Sequence, residues 1–176
     1  MNDTTMTPLR VRTVLNVNSP ADLVEAVPYL LGTDPVDSLV LIGQCPGADG
    51  VGPVLRHDLP QPRHYGKVAD HFAGVMAKAG ADSVSIVINT DSAPHPDAHR
   101  HHQALYEELV RACRIWKLTL REAVCVADRR WSSYLCADTR CCPAAGTPLR
   151  DATAGPSAVV VAATLAGLST PVPLPV

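Results

Sequence analysis

Three thiols fall within seven residues of this chain, in Trp131-Ser-Ser-Tyr-Leu-Cys136-Ala-Asp-Thr-Arg-Cys141-Cys142-Pro143. Thiolates are soft ligands, so Cys136, Cys141 and Cys142 are candidates for a zinc site. Zinc ligands usually come in pairs two to four residues apart, whereas the spacing here is C-x4-C-C, and adjacent cysteines reach one tetrahedral ion only with strain. His95, His99, His101 and His102 could supply further ligands. A reversible disulfide from Cys136 to Cys141 or Cys142 is an equal alternative, since a short loop permits the needed Cα approach. The plain alternative is a tightly packed loop whose thiols behave as small apolar groups. Cys142 becomes a nucleophile only if tertiary structure brings it a base.

A second set of reactive groups stands at the ends of apolar runs: His57-Asp58, Asn89-Thr90-Asp91 and Asp128. If those runs are parallel strands, their carboxyl ends border a ligand crevice. Asp58, Asp91 and Asp128 could then hold a hard cation such as Mg²⁺, or serve as general acid and base beside Cys142. The bland alternative is that these residues cap helices and make turns. Asn89, Arg130, Trp131, Tyr134 and Thr147 are the candidate ligand-binding side chains. Arg129 and Arg130 beside Trp131 could form an anion or base-stacking spot, or a solvated turn. Cys45, Cys113 and Cys125 belong to apolar elements and are expected in the core. No G-x-G-x-x-G, Walker A, H-E-x-x-H or G-x-S-x-G pattern occurs.

The elements that must position these groups follow from periodicity. A β-branched strand is expected over 11–17. Ser19 as N-cap and Pro20 at the first position open a helix that Pro28 should kink and Gly32 ends. Ser38 to Gly43 reads as a strand buried on both faces, and Pro53 to Asp58 as a strand antiparallel to it. Tyr65, Val68, Ala69, Phe72, Val75, Met76 and Ala79 make one helical stripe closed by Gly80. Strands are expected over 84–88 and 123–127, with one helix over 97–116 between them. Asp128-Arg-Arg130 turns the last strand back into Trp131 to Tyr134. A loop over 136–150 leads to an apolar last helix. This order predicts an α/β fold: a mixed, largely parallel sheet with helices on both faces and Rossmann-like layering. One domain over 1–168 and a Pro-rich tail over 169–176 are expected.

Composition narrows the class. With 176 residues, 47% apolar, the chain can bury a core without disulfide or metal staples, and disorder is excluded. Only seven residues are aromatic, so the core must be aliphatic. A formal charge of -2 gives no general attraction to nucleic acid or anionic lipid. The N-terminus lacks a basic stretch followed by an apolar run, so a cytoplasmic protein with reduced thiols is expected. The apolar stretch over 158–168 is shorter than a membrane span and is broken by prolines, so a buried core helix is expected instead. Twelve arginines against three lysines point to GC-rich codons.

Several stretches together resemble a known family. They are Pro20-Ala-Asp-Leu-Val24, Val27-Pro-Tyr-Leu-Leu-Gly32, Pro35-Val-Asp-Ser-Leu-Val40, Arg56-His-Asp-Leu-Pro60, Ala79-Gly-Ala-Asp82 and Thr90-Asp91. The most specific is Arg130-Trp-Ser-Ser-Tyr-Leu-Cys136, running through Cys141-Cys142-Pro143 to Gly146-Thr-Pro-Leu149. These resemble the actinobacterial family known as domain of unknown function 4192, from about residue 12 to 165. The resemblance implies no assigned activity or cofactor. Relative to that family, Ser132 stands where a second Trp is usual, Arg129 where Gly is usual, and Pro171 to Val176 replace a charged extension. The first functional expectation is a regulatory or binding domain that takes a small ligand or a protein partner through the segment from Trp131 to Leu149. The alternatives are a hydrolase or transferase using Asp58, Asp91, Asp128 and a cysteine, or a fold stapled by zinc or a disulfide.

Overall fold

The computed structural model describes residues 17, 19–47, 51–150 and 155–168. The strand expected over 11–17, Val17 apart, and the Pro-rich tail over 169–176 lie outside the described residues. Helix α1 (Pro20–Leu31) starts as its sequence dictates. The Ser19 hydroxyl accepts the Asp22 N–H at 3.1 Å, and Gly32 closes the helix at φ 71°, a left-handed conformation that suits glycine. The helix runs on through Pro28, whose missing N–H leaves the Val24 carbonyl without its helical donor.

Among the described residues six strands form one sheet: β1 (Ser38–Gln44), β2 (Val54–Asp58), β3 (Ser83–Asn89), β4 (Thr119–Ala127), β5 (Arg130–Ser133) and β6 (Thr147–Pro148), in the order β2-β1-β3-β4-β5-β6. The expectation of a largely parallel sheet with Rossmann-like layering is overturned. Among the described strands only β3 and β4 pair in parallel; β2–β1, β1–β3, β4–β5 and β5–β6 are antiparallel. Strand β1 inserts between β2 and β3, so the β2-to-β3 crossover does not make neighbours of the strands it joins. A continuous apolar run marks a strand covered on both faces, and carries no record of its direction.

Alternation along the strands divides the core. Leu39, Leu41, Ile86, Ile88 and Ala123 face α2 (Tyr65–Lys78) and α4 (Gln103–Ile115), which deliver Phe72, Met76, Leu105 and Leu109. Val40, Ile42, Val87, Val124 and Val126 face α1, through Leu23, Val24 and Val27. Helix α5 (Ala158–Leu165) packs Val159 and Ala163 onto Ala26 of α1. It was expected to be a buried core helix, yet only one stripe is covered and Val161 is 43% exposed. Among the described residues no helix is long and apolar enough to cross a membrane.

The single helix expected over 97–116 breaks at His102 into α3 (Asp97–His101) and α4. His102 is only 4% exposed, and neither ring nitrogen has a hydrogen-bond partner among the described residues. Burial chiefly lowers its pKa to about 4, with His101 adding to the shift and Asp37 opposing it. The folded protein therefore holds the ring neutral. Between pH 6.5 and about 4 the unfolded chain binds more protons, so stability is full above pH 6.5 and is lost as pH falls through this window. Denaturant unfolding from pH 7 to 4 should show the variant His102→Leu losing up to about 3 kcal/mol less than the parent. Equal pH slopes in the two proteins would refute this assignment.

Candidate functional site

The candidate loop hangs from the β4–β5 hairpin. Its turn places Asp128 at φ 48° and Arg129 at φ 53°, the paired left-handed conformation of a two-residue hairpin. Strand β5 and the residue that follows it send two aromatics to opposite faces. Trp131 joins the α1-side core, while Tyr134 packs with the α2/α4 side. The Tyr134 hydroxyl donates to the His99 carbonyl at 3.0 Å. Its ring stacks on Tyr106 at 4.5 Å and leans on the His99 ring at 4.0 Å. Burial raises the Tyr134 pKa far above the usual phenol range, so its proton stays in place.

Beyond Tyr134 the chain wraps around Asp138. Its carbonyl accepts the N–H groups of Cys141 at 3.1 Å and Cys142 at 2.7 Å. Its carboxylate accepts the Arg140 N–H at 2.9 Å and pairs with the Arg140 guanidinium at 3.2 Å. This turn folds the adjacent cysteines back toward Cys136, and the three sulfurs lie within 4.8 Å of one another. Adjacent cysteines were expected to strain in reaching one centre; the turn at Asp138 brings both there. A tetrahedral zinc with Zn–S bonds of about 2.3 Å would set the sulfurs roughly 3.8 Å apart, a closure of about 1 Å or less. All three are free thiols. The hydrogen bond with Cys142 chiefly lowers the Cys136 pKa. Burial first, and then the same hydrogen bond, raises Cys142 to about 12.

A cavity of about 250 Å³ lies beside the sulfurs, lined by Cys136, Cys142, His99, Ser132 and Tyr134 among others. His99 Nδ1 and Ser132 Oγ share a hydrogen bond of 2.6 Å. Burial chiefly, and then the charge of His95, lowers the His99 pKa, which favours a neutral imidazole. From the sequence Ser132 stands out only as a departure from the family pattern and not as a site residue, although the two-residue period from Tyr134 puts it on the same face.

Two of the expected ligand-binding residues act as anchors here. The Arg130 guanidinium donates to the Gly146 carbonyl at 2.9 Å, and the Arg130 carbonyl bonds His95 Nε2 at 3.2 Å. Thr147 pairs with Trp131 in β6, a short edge strand inside what was expected to be loop. The carboxylates divide differently. Asn89, Asp91 and Asp128 line one cavity of about 260 Å³ with Asp34 and Arg129, beneath α1. Asp58 stands on the far side of β1, 82% exposed and paired with Arg56 at 3.0 Å. Cys142 lines the other cavity. The structure therefore does not gather Asp58, Asp91, Asp128 and Cys142 into one constellation. Cys113 and Cys125 are core thiols as expected, both raised to about 11 by burial. Cys45 is only half-buried.

Gly146 holds the return of the loop. At φ 73° it is left-handed, and an added Cβ would sit 3.1 Å from Arg130 Cβ and 3.1 Å from the His95 ring. Gly47 is also left-handed, at φ 67°, with no described residue outside its chain neighbours within 4 Å. Both Gly→Ala variants incur the backbone cost of about 1 kcal/mol, and only Gly146→Ala adds a clash. Urea unfolding should show Gly146→Ala as less stable than Gly47→Ala by about 1 kcal/mol or more. Equal losses would show that the contact with Arg130 and His95 does not constrain the loop.

A family model described as Domain of unknown function (DUF4192) matches residues 20–171. No curated protein matches the chain. The matched span takes in the five described α-helices, the six described strands and the three clustered thiols. With most of its length covered by that match, the chain belongs to the DUF4192 family.

Proposed function

We propose that this chain is a binding domain in which Cys136, Cys141 and Cys142 hold a thiophilic divalent ion of the zinc type. The ion orders the 131–149 segment, and the adjoining cavity receives a small ligand or a side chain of a partner. One observation carries this reading: three sulfurs from a seven-residue stretch lie within 4.8 Å of one another. Three thiolates fill three of the four tetrahedral positions of zinc. The cavity shares Cys136 and Cys142 with the cluster, which offers the fourth position to an exchangeable donor. A cytoplasmic setting, where thiols stay reduced, suits such a site.

Metal titration tests the proposal on protein prepared under reductant and stripped with a chelator. The parent should take up about one zinc per chain and resist thermal unfolding better when loaded. Cys141→Ser and Cys142→Ser should each weaken zinc binding by more than about tenfold, the scale of loss that even outer-shell partners produce. Cys45→Ser should leave it unchanged. Six freely titrating thiols with no zinc uptake would overturn the proposal. A Cys136–Cys142 disulfide forming in air with no metal affinity would replace it with a redox role.

A further inference from the structure

A second polar cavity, of about 230 Å³, opens at the amino ends of β3 and β4 and shares no residue with the cysteine site. Leu23 and Ile42 give it an apolar floor. Its distinctive feature is a bulge in β4. Val84 pairs with Leu120 and Ser85 with Glu122, so Arg121 is the extra residue. In a regular strand Leu120 and Val124 would share a face. Instead Leu120 packs with the α2/α4-side core and Val124 with the α1 side. The inserted residue lets both Arg121 and Glu122 line the cavity on the α1 side.

The polar groups around the cavity are short of acceptors. Arg121 makes no ion pair or hydrogen bond with the described residues. Ser85 is a residue only 7% exposed that lines the cavity, and its hydroxyl has no hydrogen-bond partner among the described residues. Gln44 Oε1 accepts the Ser83 hydroxyl at 3.2 Å, which leaves the amide NH₂ as a donor. Ser19 and Pro20 bring the positive end of the twelve-residue helix α1 to the rim. Among the described residues the one carboxylate lining the cavity is Glu122, whose Oε1 accepts the Ala123 N–H at 2.8 Å and the Ser133 hydroxyl at 2.7 Å.

We propose that this cavity binds a small phosphate-class oxyanion, either free phosphate or the phosphoryl group of a small metabolite. Guanidinium, hydroxyl, amide and helix end approach from separate elements, which suits the three oxygens of a tetrahedral phosphoryl group better than the planar pair of a carboxylate. At about 230 Å³ the cavity falls below the roughly 300–1,000 Å³ of sites for drug-sized ligands, which favours a small group.

The test uses the full chain and three probes at matched ionic strength: inorganic phosphate, acetate and chloride. Phosphate should raise the melting temperature and shift the backbone amide signals of Gln44 and Ser85, and chloride and acetate should not. Arg121→Ala and Ser85→Ala should each weaken phosphate binding by about tenfold or more, the loss expected for one hydrogen bond to a charged group. Ser85→Ala removes a single hydroxyl, so its circular dichroism should match the parent and separate lost binding from lost fold. Phosphate acting no differently from chloride, acetate binding as well as phosphate, or an unchanged phosphate response in both variants would each overturn the assignment.

Discussion

The two-residue turn at Asp128 and Arg129 places everything that follows it. Left-handed backbone at two residues with side chains is unfavourable by itself, roughly 1 kcal/mol each. The β4–β5 ladder must hold it, through the pairs Val124–Ser133, Cys125–Ser132, Val126–Trp131 and Ala127–Arg130. Leu149 N–H closes back onto the Arg129 carbonyl at 2.8 Å, so the turn also anchors the end of the loop it begins. Between those points the cysteines have no regular structure to lean on. The Asp138 carbonyl supplies the missing order by accepting two N–H groups in succession. The geometry of the sulfurs therefore rests in part on backbone hydrogen bonds to Asp138.

The aliphatic core makes this arrangement affordable in space. With a single Phe, both faces of the sheet are filled mainly by aliphatic side chains, with Phe72 and Tyr65 buried on the α2/α4 side and Trp131 packed on the α1 side. Tyr134 and Tyr106 stack beside the candidate site, and Trp116 lies against the middle of α2 at Gly74, where its Nε1 donates to Asp70 at 2.9 Å. A flat stack of two tyrosines against His99 gives the cavity a rigid wall. Rigidity matters there because a three-thiol site gains little if its neighbours must be ordered upon binding.

Local signals in the sequence were legible where one residue type has one physical use. Ser19, Pro20 and Gly32 bound α1 where capping chemistry places it. The strand cores and the hairpin after Ala127 follow from apolar runs and turn chemistry. Pairing was less legible, because direction and register depend on two segments at once. Nothing within Ser38 to Gly43 tells that β1 runs against both neighbours. The bulge at Arg121 is likewise invisible until the partner strand is known. The cysteine loop could be located from its composition, yet its geometry could not, since it turns on the carbonyl of Asp138, which any residue possesses. Trp131 and Tyr134 invite grouping because they are near in sequence. Their odd spacing along a strand sends them to opposite faces.

The two candidate sites meet at one hydrogen bond. Glu122 lines the cavity at the amino ends of β3 and β4, and Ser133 lines the cavity beside the cysteines. The Ser133 hydroxyl donates to Glu122 Oε1 at 2.7 Å and accepts the Leu135 N–H at 3.0 Å, one residue before Cys136. Spatial contact of this kind does not by itself couple sites; coupling requires that the bond have two arrangements which the two ligands favour differently. The bond also has a local role that needs no coupling. It ties Glu122 Oε1 to β5, and among the described residues Glu122 forms no ion pair with Arg121. The same hydroxyl fixes the backbone where the strand gives way to the loop. One serine on an otherwise regular strand thus serves the electrostatics of one cavity and the geometry of the other.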